Sequence, residues 1–159
     1  MAMSEAQFPP EMLRGIREEG WIREDPPYIS AFLFDENDRR RSDGNREFSI
    51  TWYYDSSSLR ILESITFGGE SIFKGGIAVI DRREFDEYVS SQGIEAEYEL
   101  CPSKNNPHHG NILIKGGNPV HERKLAAKLA RMAIFYPLGT PIPCKNDVEG
   151  VLPPESPRL

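Results

Sequence analysis

With 159 residues, 28% of them charged and 38% hydrophobic, the chain has the makeup of one globular domain. A domain of this size buries roughly two thirds of the surface its unfolded chain exposes. A net charge of −6 argues against a general binder of nucleic acids or membrane surfaces. No apolar run approaches the ~20 residues of a membrane helix, and Met1–Pro10 shows no basic stretch followed by an apolar core, so a cytoplasmic location is the expectation. Cys101 and Cys144 are expected as reduced structural thiols, with a single bridge as the alternative.

In chain order, Pro9-Pro10-Glu11 predicts the first turn of a short helix with Leu13 and Ile16 on its apolar edge and Gly20 ending it. After Asp25-Pro26-Pro27, Tyr28 to Phe34 reads as a short buried element. Residues 35–47 contain no hydrophobic side chain and predict a mobile charged loop carrying Arg39, Arg40 and Arg41. Phe48 to Tyr54 alternates large apolar with small polar residues, the period of a strand. Ser56 to Ser58 then offer caps to a helix carrying Leu59, Leu62 and Ile65.

Gly68-Gly69 and Gly75-Gly76 mark turns in a flexible connection. Gly76 to Ile80 is an apolar strand. It feeds a helix capped by Asp81 and Glu84, with Phe85 and Val89 toward the core and Gly93 at its end. Ile94 to Leu100 is a clean strand: Ile94, Ala96, Tyr98 and Leu100 share one face and Glu95, Glu97 and Glu99 the other. A polar loop from Pro102 to Gly110 leads to an antiparallel partner strand at Asn111 to Ile114. Asn118-Pro119 starts a helix from Val120 to about Phe135 with Leu125, Leu129 and Met132 as its stripe. From Pro137 onward the chain holds six of its thirteen prolines without periodicity.

This order predicts an α+β fold: a small mixed or antiparallel sheet of three to five strands with helices packed mainly on one face. The expected organisation is a single domain over 8–136, interrupted by the charged loop at 35–47, and a proline-rich tail over 137–159. That tail is expected to be extended and partly disordered, or docked onto a partner.

The strongest candidate chemistry lies in the loop Pro102-Ser103-Lys104-Asn105-Asn106-Pro107-His108-His109-Gly110. Histidine there can act as a general base near neutral pH or clamp an anion. The bland alternative is a structural turn, since Asn106-Pro107 initiates turns and Gly110 ends them. Adjacent side chains diverge, so His108 and His109 do not converge on one ion. Adding His121 and Cys101 gives a set that matches no zinc spacing. Neither a metal nor a cofactor is expected. The glutamates at 95, 97 and 99 read as a solvated strand face. There is no Gly-x-Ser-x-Gly elbow and no phosphate-binding Gly-rich loop.

Several fragments together resemble a group of small bacterial proteins of unassigned function. They are Arg14 to Ile22 ending in Trp21-Ile22, Ile29-Ser30 with Ala31-Phe32, Phe48-Ser49-Ile50, Gly76-Ile77-Ala78-Val79, and Asn106-Pro107-His108-His109-Gly110-Asn111-Ile112. In that group the last fragment reads Asn-Pro-x-His before an apolar strand, which singles out His109. The resemblance implies a role beside larger proteins in multigene systems, including defence systems, and supplies no activity.

The leading expectation is therefore a small accessory or protein-binding module with a protein partner and no membrane partner. The alternative is a small transferase or hydrolase using His109 as general base or anion clamp, with Asn106, His108 and His121 nearby. A nucleic-acid role through Arg39, Arg40, Arg41 and the cations of the last helix (Arg123, Lys124, Lys128, Arg131) ranks below both.

Overall fold

The computed structural model describes residues 8–17, 46–115 and 119–153. In chain order these form β1 (Glu11–Ile16), β2 (Arg46–Trp52), α1 (Ser56–Glu63), β3 (Thr66–Phe67), β4 (Glu70–Ser71), β5 (Gly76–Asp81), α2 (Arg82–Ser91), β6 (Ala96–Leu100), β7 (His109–Ile114), α3 (Pro119–Met132), β8 (Ile134–Tyr136) and α4 (Asn146–Glu149). Six strands build one antiparallel sheet in the order β6-β7-β2-β1-β5-β8, and β3 and β4 form a separate hairpin. The fold is α+β as expected, with a larger sheet than the three to five strands predicted.

The extra strands come from two places. Residues 11–16, expected as a helix, are a strand at the middle of the sheet between β2 and β5. A strand buried on both faces loses the simple alternation of a half-buried one. Met12, Leu13 and Ile16 are all buried, and their spacing mimics a helical edge. The second addition is β8, which occupies what was read as the last turn of α3. Ile134–Tyr136 instead pairs with Val79, Ala78 and Ile77 of β5.

The two faces of the sheet carry different cores. Alternate residues Met12 and Ile16, Phe48, Ile50 and Trp52, Ala78 and Ile80, and Ile112 and Ile114 pack against Phe85 and Val89 of α2 and Leu125, Ala126 and Leu129 of α3. Leu13, Ile77 and Val79 point the other way, against Leu59 and Leu62 of α1 and Ile142. The helices are thus divided: α2 and α3 share one face and α1 takes the other.

Local chemistry explains the joints. Asp81 caps α2 by accepting from Glu84 N–H at 2.9 Å. The helix closes when Ile94 N–H reaches the Val89 carbonyl at 2.9 Å over Gly93, whose φ of +66° suits glycine. The Gly68-Gly69 turn, with φ of +64° and +85°, is the two-residue connection that joins β3 to β4. Buried Arg82 ties the start of the described chain to α2, donating to the Pro9 carbonyl at 3.0 Å and to Asp86 at 3.2 Å.

Residues 137–153, read from sequence as part of a proline-rich tail, pack back onto this body. Ile142 is buried in the second core, and Val151 packs against the α2/α3 core. Asn146 is 3% exposed and makes three backbone bonds: its Nδ2 donates to Tyr54 O at 2.8 Å and Val151 O at 2.7 Å, and its Oδ1 accepts from Val151 N–H at 2.9 Å. Replacing Asn146 with alanine leaves these groups unpaired in a buried setting. The expected loss is about 1–3 kcal/mol of folding stability. Urea unfolding measures it, and a loss below about 0.5 kcal/mol, the range of ordinary surface changes, shows that the segment is not held by this side chain.

Candidate functional site at the polar end of the sheet

The strand period fixes which side chains share a surface. On β2, β6 and β7 the positions that alternate with the α2/α3 core are Ser49 and Thr51, Glu97 and Glu99, and His109, Asn111 and Leu113. The registers Thr51↔His109, Ser49↔Asn111 and Glu99↔Asn111 set them side by side. A band of small polar and titratable groups therefore crosses three strands next to the histidine loop.

The inner part of this region is closed. Asn106, 4% exposed, donates from Nδ2 to Thr51 Oγ1 at 2.9 Å and accepts the His108 N–H on Oδ1 at 3.0 Å. His108 is buried as well, and its Nδ1 lies 2.7 Å from Ser58 Oγ. Ser58 Oγ accepts from Tyr54 N–H at 3.1 Å and from Asp55 N–H at 3.5 Å, which occupies both lone pairs and leaves its hydroxyl proton for His108. Nδ1 is then the acceptor and the imidazole is the neutral Nε2–H tautomer. The Tyr54 ring meets it edge-on at 5.0 Å. Burial pushes the His108 pKa below the usual 6.5, opposed by the Asp55 carboxylate nearby. Asp55 caps α1, and the Ser57 hydroxyl chiefly holds its pKa below the ordinary carboxylate value.

A serine beside a histidine and an aspartate invites comparison with a hydrolytic triad, but the geometry excludes one. Ser58 is fully buried at 0% exposure, and it faces Nδ1, the nitrogen that a triad gives to the carboxylate. The trio joins α1 to the loop.

His109 is placed differently. Its ring is partly exposed, and Nδ1 donates to the Cys101 carbonyl at 3.0 Å. Cys101 N–H in turn reaches the His109 carbonyl at 2.8 Å. With Nδ1 committed to this carbonyl, Nε2 is the nitrogen left for any further partner. Beside it, Asn111 donates to Glu99 Oε1 at 2.8 Å. Underneath, Trp52 Nε1 donates to the Glu99 carbonyl at 3.1 Å across Gly110, where a Cβ would collide with both groups. Gly110 is thus required by close approach.

Of the residues named from sequence, the structure brings Asn106, His108 and His109 together, the first two inward and the third outward. His121 falls in the first turn of α3. Arg39, Arg40 and Arg41 lie outside the described residues, as do Tyr28 to Phe34 and most of the charged loop; Arg46 and Glu47 belong to β2. Among the described residues no group of three or more His, Cys, Asp or Glu side chains is arranged to hold a metal ion, and both cysteines are free. No helix is long and apolar enough to cross a membrane among the described residues. Sequence reasoning missed Ser49, Thr51, Ser58, Glu99 and Asn111. The small polar residues alternating with Phe48, Ile50 and Trp52 were the available signal for the first two.

No protein-family model, curated protein or solved structure matches the chain.

The two histidines separate by experiment. His108→Ala removes a buried hydrogen bond and is expected to cost about 1–3 kcal/mol, whereas His109→Ala stays within about 1 kcal/mol of the parent; urea midpoints at neutral pH decide. The pH dependence follows from His108. Its folded pKa lies below its unfolded value, so the unfolded chain binds the extra proton. Its contribution to stability is complete above pH 6.5 and is lost progressively as the pH falls below that value toward the folded pKa. His108→Gln, which does not titrate, should flatten this part of the stability profile; an unchanged profile would dismiss His108 as its source.

Proposed function

We propose that the chain is a small protein-binding accessory module acting with a larger partner. The observation that carries this reading is the exposure of Val148 (92%) and Leu152 (82%) on a segment that is firmly anchored. Branched apolar side chains displayed at fixed positions beside a polar rim are what a partner can use as anchors. The anchoring is specific: Ile142 is in the core, Asn146 bridges Tyr54 and Val151, and Lys145 reaches Asp81 at 2.6 Å. The buried pairing of Asn106 and His108 supports the same reading, because it assigns much of the histidine loop to holding the fold.

A second reading, a small enzyme with His109 as general base or anion clamp, draws on one observation. The Cys101 carbonyl fixes the His109 ring and leaves Nε2 for a further partner, the way a general base is oriented.

The test is co-purification of the full chain, tagged, from its native cells, followed by sizing of the complex. Removing residues 137–159 is unsuitable, since it also removes Ile142 and Asn146. Val148→Asp with Leu152→Asp touches no buried group, so the melting temperature should hold while a stoichiometric partner is lost. Retention of the partner by this double variant counts against the proposed surface, and a parent chain that never enters a complex counts against the reading. His109→Gln should leave complex formation unchanged; loss of a cellular activity in this variant, with the complex intact, would favour the second reading.

A further inference from the structure

The long helix α3 presents an unusual charge arrangement. Its sequence, PVHERKLAAKLARM, holds four cations, Arg123, Lys124, Lys128 and Arg131, against the single carboxylate of Glu122, in a chain whose net charge is −6. At 3.6 residues per turn, Lys124, Lys128 and Arg131 fall on one face at i, i+4 and i+7. Leu125, Ala126, Leu129 and Ala130 form the opposite, buried face. Arg123, Lys124 and Arg131 are exposed, and Lys128 stands over the Tyr88 ring at 5.5 Å. Arg123 to Arg131 spans about 12 Å of helix.

Elsewhere the described cations divide: Arg17, Arg60 and Lys104 are exposed without a carboxylate partner among the described residues, and five others are paired. Lys74, Arg82, Arg83, Lys115 and Lys145 each pair with a carboxylate. Among the described residues Arg123, Lys124 and Arg131 have no such partner. Their mutual repulsion disfavours the isolated helix slightly.

We propose that the outward face of α3 is a docking surface for an acidic segment of a partner protein. The inference rests on the protein-binding reading above and assigns it a charge. Charge complementarity selects carboxylates: the face offers three to four cations over a short length, and the aromatic ring beside it, Tyr88, lies under Lys128 instead of standing open for a base to stack on. A nucleic acid fits less well, because a phosphate track extends beyond about 12 Å and the remaining surface of this chain is net negative, which opposes a polyanion. Val151 packs on the core that α3 covers, on the same side of the sheet.

The probes are a synthetic glutamate-rich peptide, a lysine-rich peptide of equal length and a short DNA duplex, each titrated into the full chain while backbone amide shifts are recorded. The glutamate-rich peptide is expected to shift α3 amides, with affinity falling as salt is added. Lys124→Glu with Arg131→Glu should weaken it by about tenfold or more and create affinity for the lysine-rich peptide. Tighter binding of the duplex than of the glutamate-rich peptide at equal ionic strength overturns the inference, as does the absence of any α3 response. The native complex separates this inference from the function it rests on. If Lys124→Glu with Arg131→Glu retains the native partner while Val148→Asp with Leu152→Asp loses it, the α3 surface is wrong and the binding module stands. If the parent chain has no partner, both fail.

Discussion

The structure depends on how three residues leave the end of β2. Tyr53, Tyr54 and Asp55 turn the chain out of the sheet, and a turn in a buried place needs a partner for every backbone group. Three segments provide them. Tyr53 N–H donates to the Glu11 carbonyl at 3.1 Å, which ties the turn to β1. Tyr54 N–H reaches Ser58 in α1, and the Tyr54 carbonyl accepts from Asn146 in the C-terminal segment. Side chains add a second layer: Tyr53 OH donates to the Ile142 carbonyl at 2.5 Å, and the Tyr54 ring lies against His108. Tyrosine suits position 53 because it combines a large apolar body with a hydroxyl that finds a partner.

This junction decides the character of the histidine loop. Because Ser58 already accepts from Tyr54 and Asp55, its proton is left for His108, and the loop is held down at that point. Asn106 closes the other side by joining Thr51 to the His108 backbone. The carbonyl of His108 also accepts from Trp52 N–H at 2.9 Å, so the sheet hydrogen bonding runs into the loop. His109, next in sequence, inherits a fixed backbone and directs its ring away from the interior. Rigidity below and an oriented imidazole above are consequences of the same set of bonds, and the alternation of neighbouring side chains divides the pair.

What was legible in the sequence was local. The alternation of Phe48-Ser49-Ile50-Thr51-Trp52 and of Ala96 to Leu100 identified strands because one face is apolar and the other polar. The Asp81 cap and the Gly93 stop were readable because capping depends on a few adjacent residues. β1 failed for the opposite reason: a central strand flanked on both faces loses the polar half of its pattern, and the spacing of Leu13 and Ile16 then resembles a helix. β8 was hidden because Ile134 to Tyr136 continues an apolar helix by one turn, and its strand pairing depends on β5, more than fifty residues earlier in the chain. Asn146 carries no sequence signal at all. Its importance comes from three backbone groups that converge on it after folding. The Asn-Pro-x-His frame drew attention to the histidine loop, but only the positions of Ser58 and Thr51 distinguish the two histidines.

The distribution of charge completes the physical picture. Surface ion pairs are individually weak, typically about 0–1 kcal/mol, so Lys145–Asp81 and Arg83–Glu149 do little to hold the C-terminal segment by themselves. That work falls on Ile142 and Asn146, which are buried. The pairs matter more for what they neutralise. They cancel carboxylates around the start of α2, and Lys115 does the same for Glu97 on the edge strand. The cations of α3 take no part in this arrangement, although α3 packs on the sheet face it shares with α2. Their apolar stripe accounts fully for the helix's place in the core, since Leu125, Ala126, Leu129 and Ala130 suffice to bury it. On the opposite side, Lys128 lies over the Tyr88 ring and Arg131 sits in the last turn, where a cation suits the helix dipole. Arg123 and Lys124 are exposed cations whose charge the packing of the described residues does not use, in a chain with acidic residues in excess.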